Sequence, residues 1–214
     1  MAYCGIDEAG RGSVIGPLVV GIVRTDGDEG LASMGVRDSK KLTPKKRESL
    51  YAEIVAGYDA CVIEMPASEI DRLRKGASLN EIELGMFAEA FEKLPAGTVF
   101  ADCPDVNERG FSASMAARCG GKCKVVAEHR ADDRYPVVSA ASIVAKVTRD
   151  RRIAEISEEF GIDVGSGYPS DRITMDFIEK WIKENGRAPK HTRCSWEPVR
   201  HFMSLAANTK ISDW

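Results

Sequence analysis

From Tyr3 to Asp7 and from Pro17 to Val23 the chain is nearly continuously apolar, in runs of strand length, with Gly10, Arg11, Gly12 and Gly16 between them. The pattern predicts an antiparallel hairpin with a glycine-rich turn, and it leaves Asp7 and Glu8 at the end of the first strand. A helix is predicted over Pro44–Val55 and a strand over Asp59–Met65. Ser78 followed three residues later by Glu81 is a capping box. Leu79, Ile82, Met86, Phe87, Ala90, Phe91 and Leu94 recur behind it at helical spacing. Thr98–Ala101 reads as a fourth short strand, ending at Asp102, and Lys122–Ala127 as a fifth, followed closely by Asp132 and Asp133. The longest predicted helix runs from Pro136, a residue suited to a first turn, to Phe160, where Gly161 stops it. After a loop at Gly165–Pro169, the positions Ile173, Phe177, Ile178, Trp181 and Ile182 mark an amphipathic helix closed by Gly186.

Strands early and helices late, in a chain of 214 residues that is 43% hydrophobic, describe a domain with a full core and a helical appendage. The division is placed at residues 1–160 and 161–214, and no internal repeat is evident. Charge narrows the function classes. With 30 Lys and Arg against 33 Asp and Glu, the net charge is -3, so the chain lacks the overall basic footprint of a nucleic-acid binder. A polyanion would have to meet local patches. One lies between Arg37 and Arg47, a second holds Arg130, Arg134, Lys146, Arg149, Arg151 and Arg152, and a third, from Lys180 to Arg200, includes Arg187, Lys190 and Arg193. Solvated helix faces are the alternative reading of each patch. The apolar run around Leu18–Val23 is far below the ~18 residues of a spanning helix, and no signal peptide is seen, which points to a cytoplasmic location; the chain is expected to be a monomer. Six scattered cysteines suit reduced thiols. Cys119, Cys123 and His129 lack a fourth ligand at zinc spacing.

Three strand ends thus deliver acid: Asp7 with Glu8, Asp102, and shortly after the fifth strand Asp132. Side chains at neighbouring strand ends of an α/β sheet converge, so the four can share one cavity. Like charges that close cannot all stay ionised without cations. Mg2+ or Mn2+ suits an all-oxygen site, and two such ions activate a water and stabilise a leaving oxygen in displacement at phosphorus. Ordinary strand-end turn residues are the competing reading of each aspartate. The Gly10-Arg11-Gly12 turn exposes backbone N–H groups and admits another backbone closely, although a plain hairpin turn explains it too.

The run Gly5-Ile-Asp-Glu-Ala-Gly-Arg-Gly-Ser, then Gly16-Pro17, Asp38-Ser-Lys-Lys-Leu, Asp102, the segment Ala131-Asp-Asp-Arg-Tyr-Pro-Val-Val-Ser-Ala-Ala-Ser-Ile-Val-Ala-Lys, and Gly165-Ser-Gly-Tyr-Pro-Ser-Asp together resemble type 2 ribonuclease H (ribonuclease HII), most of all its archaeal members. The resemblance spans nearly the whole chain. It implies an α/β fold of ribonuclease H type, a five-stranded mixed sheet flanked by helices with a C-terminal helical extension. It also implies an endonuclease that hydrolyses RNA in RNA–DNA hybrids and nicks 5′ of single ribonucleotides in duplex DNA, leaving 3′-hydroxyl and 5′-phosphate ends. By the same resemblance Asp7, Glu8, Asp102 and Asp132 are the catalytic carboxylates and the ligands of two Mg2+ or Mn2+ ions, with the flanking Ala131 and Tyr135 favouring Asp132 over Asp133. Gly10, Arg11 and Gly12 would meet the phosphate and 2′-hydroxyl at the RNA–DNA junction, and Tyr168 the sugar after the ribonucleotide. Lys40, Lys41 and Lys146 are candidates for backbone contacts. The last residues, Asn208–Trp214, resemble a degenerate sliding-clamp motif, with Asn208 where Gln is usual and a single terminal aromatic. A junction resolvase on the same fold and a non-catalytic binder remain competing classes. The presence of all four carboxylates argues against the second.

Overall fold

The computed structural model describes residues 1–36 and 42–209, the side chains of 208 and 209 excepted. Its elements are β1 (Tyr3–Ala9), β2 (Leu18–Thr25), α1 (Glu29–Met34), α2 (Pro44–Gly57), β3 (Asp59–Met65), α3 (Ala67–Leu73), α4 (Leu79–Lys93), β4 (Thr98–Asp102), α5 (Glu108–Arg118), β5 (Lys124–Glu128), α6 (Ala131–Arg134), α7 (Pro136–Phe160), α8 (Arg172–Asn185) and α9 (Glu197–Thr209). The chain divides into two compact units. The first comprises Met1–Ala9, Val19–Glu64 and Ser78–Thr148, and the second Gly10–Leu18, Met65–Ala77 and Arg149–Trp214.

The first unit is built on a five-stranded sheet in the order β3-β2-β1-β4-β5. β1 runs antiparallel to β2, with Asp7 opposite Gly21 and Glu8 opposite Val20, and parallel to β4, which is in turn parallel to β5. This is the mixed sheet expected. The fifth strand is shifted from the expected Lys122–Ala127 to Lys124–Glu128, because Gly120 and Gly121, both with positive φ, carry the chain out of α5 first.

The first half of α7 reads as apolar on every side, the pattern of a helix enclosed by its own protein. Val137, Val138, Ala140, Ala141, Ile143, Val144, Ala145 and Val147 are all buried. All of these but Ala145 form one core with Val23, Leu31, Leu50 and Ile54. The helix lies so close to the sheet that two strand positions have no room for a side chain. A Cβ on Gly21 would stand 2.5 Å from the Ala141 carbonyl oxygen. One on Gly5 would stand 2.5 Å from the Val138 nitrogen and overlap the Val137 carbonyl. Side chains alternate along a strand, so Gly5 and Asp7 share that helix-facing side.

Helix ends follow their caps. Thr43 accepts from the Lys46 amide with Pro44 in the first turn, Ser78 and Glu81 form the full capping box, and α8 begins at Asp171 and ends at Gly186 in the left-handed conformation. The second unit has its own core, in which Val14 and Ile15 pack with Ile153, Ile156, Val164, Phe177, Ile178, Ile182 and Val199. Among the described residues no helix is long and apolar enough to cross a membrane.

Candidate active site

Asp7 lies two residues before the end of β1 and is 5% exposed. The β1–β4 register ends at Ile6 opposite Ala101, and one step further it sets Asp102 beside Asp7. Burial, then Glu8, then Asp102 push the Asp7 carboxyl well above the usual carboxylate range. A hydrogen bond with Ser142 of α7 and another from the Glu8 amide, 2.7 Å to Oδ1, pull the other way. Asp102 Oδ1 accepts the Ala131 amide at 2.8 Å, which ties the end of β4 to the start of α6. That short helix carries Asp132, 4% exposed, whose carbonyl accepts from Ser139 Oγ. Its neighbour Asp133 is instead engaged by Arg130, at 2.7 Å from Nε. Lys146 lies one turn beyond Ser142 on α7 and is half-buried.

The donor set is all oxygen, and its central member is enclosed with two further acids acting on it. Such a carboxylate ionises fully only against positive charge, so these residues fit hard divalent cations. As the side chains stand, no group of three or more His, Cys, Asp and Glu among the described residues is placed to hold a metal ion. Asp7 and Asp102 each turn an oxygen to a backbone amide instead. The Cys119, Cys123 and His129 set forms no such group either.

Gly10, Arg11, Gly12 and Tyr168 belong to the second unit. Gly10 must be glycine, since its φ is +85° and a Cβ would stand 2.6 Å from the Pro17 carbonyl oxygen. Gly12 is exposed and a Cβ there would meet nothing within 4 Å, so the protein's own packing does not demand glycine at that position. The Gly167 carbonyl takes the amides of Val14 and Ile15 at 2.8 and 3.1 Å. Tyr168 is half-buried, its ring 4.4 Å from the guanidinium carbon of Arg149. Lys40, Lys41 and the terminal segment from Lys210 lie outside the described residues.

Three arginines of the basic patches are not surface charge. Arg149 is 2% exposed and donates to the Ser166 carbonyl, and Arg193 is fully buried. Arg47 of the first patch is buried too and donates to the Leu42 carbonyl at 2.6 Å. Much of the remainder is paired, with Arg134 to Glu128, Arg152 to Glu155, Lys180 to Glu184 and Lys190 to Glu159. Solvated faces therefore account for much of the patches, and surface pairs of this kind contribute little. The burial of Arg149 and Arg193 had no signal in the charge pattern, because their partners are carbonyls of segments distant in the chain.

Parallel β1 and β4 ending on adjacent acids, under a helix in contact with the sheet, belong to a fold of the ribonuclease H class. The family model described as Ribonuclease HII matches residues 4–199. The ribonuclease HII of Methanospirillum hungatei JF-1 is 41% identical over 211 residues, 99% of each chain. Among solved structures, ribonuclease H2 from Pyrococcus horikoshii OT3 superposes with a TM-score of 0.90 at 40% identity, covering 97% of this chain and 99% of that one. The PCNA:RNase HII complex from Archaeoglobus fulgidus matches with a TM-score of 0.87 at 41% identity, covering 92% and 96%. The chain belongs to the ribonuclease HII family. It is a metal-dependent endonuclease that hydrolyses the RNA strand of RNA–DNA hybrids.

Proposed function

We propose that Asp7, Glu8, Asp102 and Asp132 hold two divalent ions, Mg2+ or Mn2+, and that the enzyme also nicks duplex DNA on the 5′ side of a single embedded ribonucleotide. The observation that carries the proposal is the enclosed Asp7 carboxylate with Glu8 and Asp102 acting on it. Asp7 and Asp102 are assigned to both ions, Glu8 and Asp132 to one each. When bound, the ions supply an activated water and stabilise the leaving oxygen. The water oxygen bonds to phosphorus, the bond to O3′ of the preceding deoxynucleotide breaks, and that oxygen takes a proton. Ser142 orients Asp7 and the Ala131 amide orients Asp102 before substrate arrives. The Gly10-Arg11-Gly12 turn reads the ribose 2′-hydroxyl and its phosphate, a role supported by the room at Gly12. Tyr168 reads the following deoxyribose, and Lys40, Lys41 and Lys146 contact the backbone.

A duplex with one ribonucleotide, incubated with Mg2+ or Mn2+, should be cut once, 5′ of that residue, while the all-DNA duplex stays intact. Cutting of both, or of neither, overturns the proposal. In the same assay Tyr168→Ala should cut less selectively at the junction with DNA; unchanged selectivity removes Tyr168 from the reading.

The segment Asn208–Trp214 is proposed to bind a sliding clamp, a reading supported by the clamp complex of the Archaeoglobus relative. The chain alone is proposed to work as a monomer in the cytoplasm, where six unpaired cysteines suit a reducing compartment. On size exclusion it should elute as a monomer and co-elute with an archaeal clamp. Removal of 208–214 should abolish co-elution and leave cleavage of short duplexes unchanged. Retained co-elution contradicts the assignment.

A further inference from the structure

In the second unit, residues 10–16 close around one buried side chain. Arg193 is 0% exposed, a costly place for a guanidinium unless its donors are satisfied. Nη2 donates to the Gly10 carbonyl at 2.6 Å and to that of Gly16 at 3.2 Å, Nη1 to that of Arg11 at 2.9 Å, and Nε to that of Gly16 at 3.2 Å. The Trp196 ring lies against the guanidinium, 4.9 Å from its carbon to the ring centroid.

The segment that delivers Arg193 is itself fastened. Its amide donates to the Val14 carbonyl at 2.8 Å, and Thr192 forms a bridge with Ile15. Asp71 of α3 takes the amides of Cys194 and Ser195 at 2.7 and 3.0 Å. A cation so placed draws the carbonyl oxygens of Gly10, Arg11 and Gly16 to the turn's inner side. No peptide among the described residues is cis, and a trans peptide points its carbonyl and the next amide in opposite directions. With the carbonyls of Gly10 and Arg11 drawn onto Arg193, the N–H groups of Arg11 and Gly12 are turned away from it.

We propose that Arg193 is a positioning residue for substrate recognition: by holding the carbonyls of Gly10, Arg11 and Gly16, it aims the amides of Arg11 and Gly12 at the ribose and its phosphate. The inference rests on the reading of that turn given above. Lysine keeps the charge but has a single nitrogen in place of the planar fork, so it cannot hold the three carbonyls in the same way.

The test is binding, with the full chain in Mg2+ and the chemistry disabled. Asp7→Asn and Asp7→Asn/Arg193→Lys, each checked for folding by circular dichroism and melting, are titrated with duplex DNA with and without one ribonucleotide. Asp7→Asn should prefer the ribonucleotide duplex, and Arg193→Lys should reduce that preference about tenfold, the size of a lost charge-assisted contact. A role confined to stability would lower the melting temperature and leave the affinity ratio of the folded protein unchanged, which overturns the inference while the reading of the turn stands. No preference in Asp7→Asn itself overturns both. Where Arg193→Lys does not fold, Trp196→Leu replaces it. A fall in preference of about threefold, as expected for a lost cation–π contact, then supports the inference, and an unchanged ratio overturns it.

Discussion

Asp7→Asn is expected to lower hybrid cleavage by about 10³-fold or more and, at the same time, to make the metal-free protein more stable near pH 8. On the proposed assignment, the loss of activity follows from removing one of the charges that would hold the cations, whose stabilisation of the reacting phosphate is worth several kcal/mol. The gain in stability follows from the direction of the Asp7 shift. Burial and the charges of Glu8 and Asp102 raise its folded pKa above the unfolded value. Between those two values the folded state binds more protons, so stability is highest below the unfolded pKa and falls as pH rises through the folded one. Asparagine does not ionise and escapes that loss. In chelator, the melting temperature of the variant should therefore pull ahead of wild type between pH 4 and pH 8, by about 2–4 °C for each kcal/mol relieved. Saturating Mg2+ should close the gap by stabilising only wild type, by about 2.7 kcal/mol at a hundredfold excess over Kd. A gap independent of pH, or wild-type activity in the variant, contradicts the assignment of Asp7.

Gly5→Ala should be the most damaging single-methyl change in the first unit. The added carbon meets the Val137 carbonyl and the Val138 nitrogen, which are backbone atoms and cannot rotate away. The first turns of α7 must then lift from β1, at a cost of about 3 kcal/mol, the upper part of the range for overpacking. That corresponds to roughly 6–12 °C in melting temperature. The same shift draws Ser142 from Asp7, so activity of the folded fraction should fall too. Chemical denaturation and initial-rate measurements on the folded variant check both parts; a loss below about 0.5 kcal/mol, the size of an ordinary surface change, would show that the helix accommodates the methyl group.

The strands were legible because buried strands are written as short apolar runs, and Asp7 and Asp102 were legible as acids at their ends. Asp132 was harder to place. It sits in a four-residue helix entered through Arg130 in the left-handed conformation, and no capping residue or period announces that turn. α1, α3 and α5 left little trace because the first two are six and seven residues long and α5 carries Gly110 in its first turn. α9 does carry Val199, Phe202, Met203 and Ala206 at helical spacing, but Trp196 precedes it where a capping residue would mark the start. Arg149 and Arg193 show the limit most plainly. A count of charges along the chain assigns both to surface patches, while the fold encloses them, one bonded to the Ser166 carbonyl and the other to those of Gly10, Arg11 and Gly16. The choice of a ribonucleotide as substrate came from the match to the family and not from any spacing of acids.

On the proposed assignment, Asp7, Glu8, Asp102 and Asp132 direct water, not the ribose itself, at the phosphate on the 5′ side of the ribonucleotide. End-group analysis of the products from a duplex with one ribonucleotide tests it most directly. A 3′-hydroxyl on the upstream DNA and a 5′-phosphate on the ribonucleotide, formed only with divalent metal and lost in Asp7→Asn, is the predicted result. A 2′,3′-cyclic phosphate on the ribonucleotide, the mark of attack by its own 2′-hydroxyl, would contradict it.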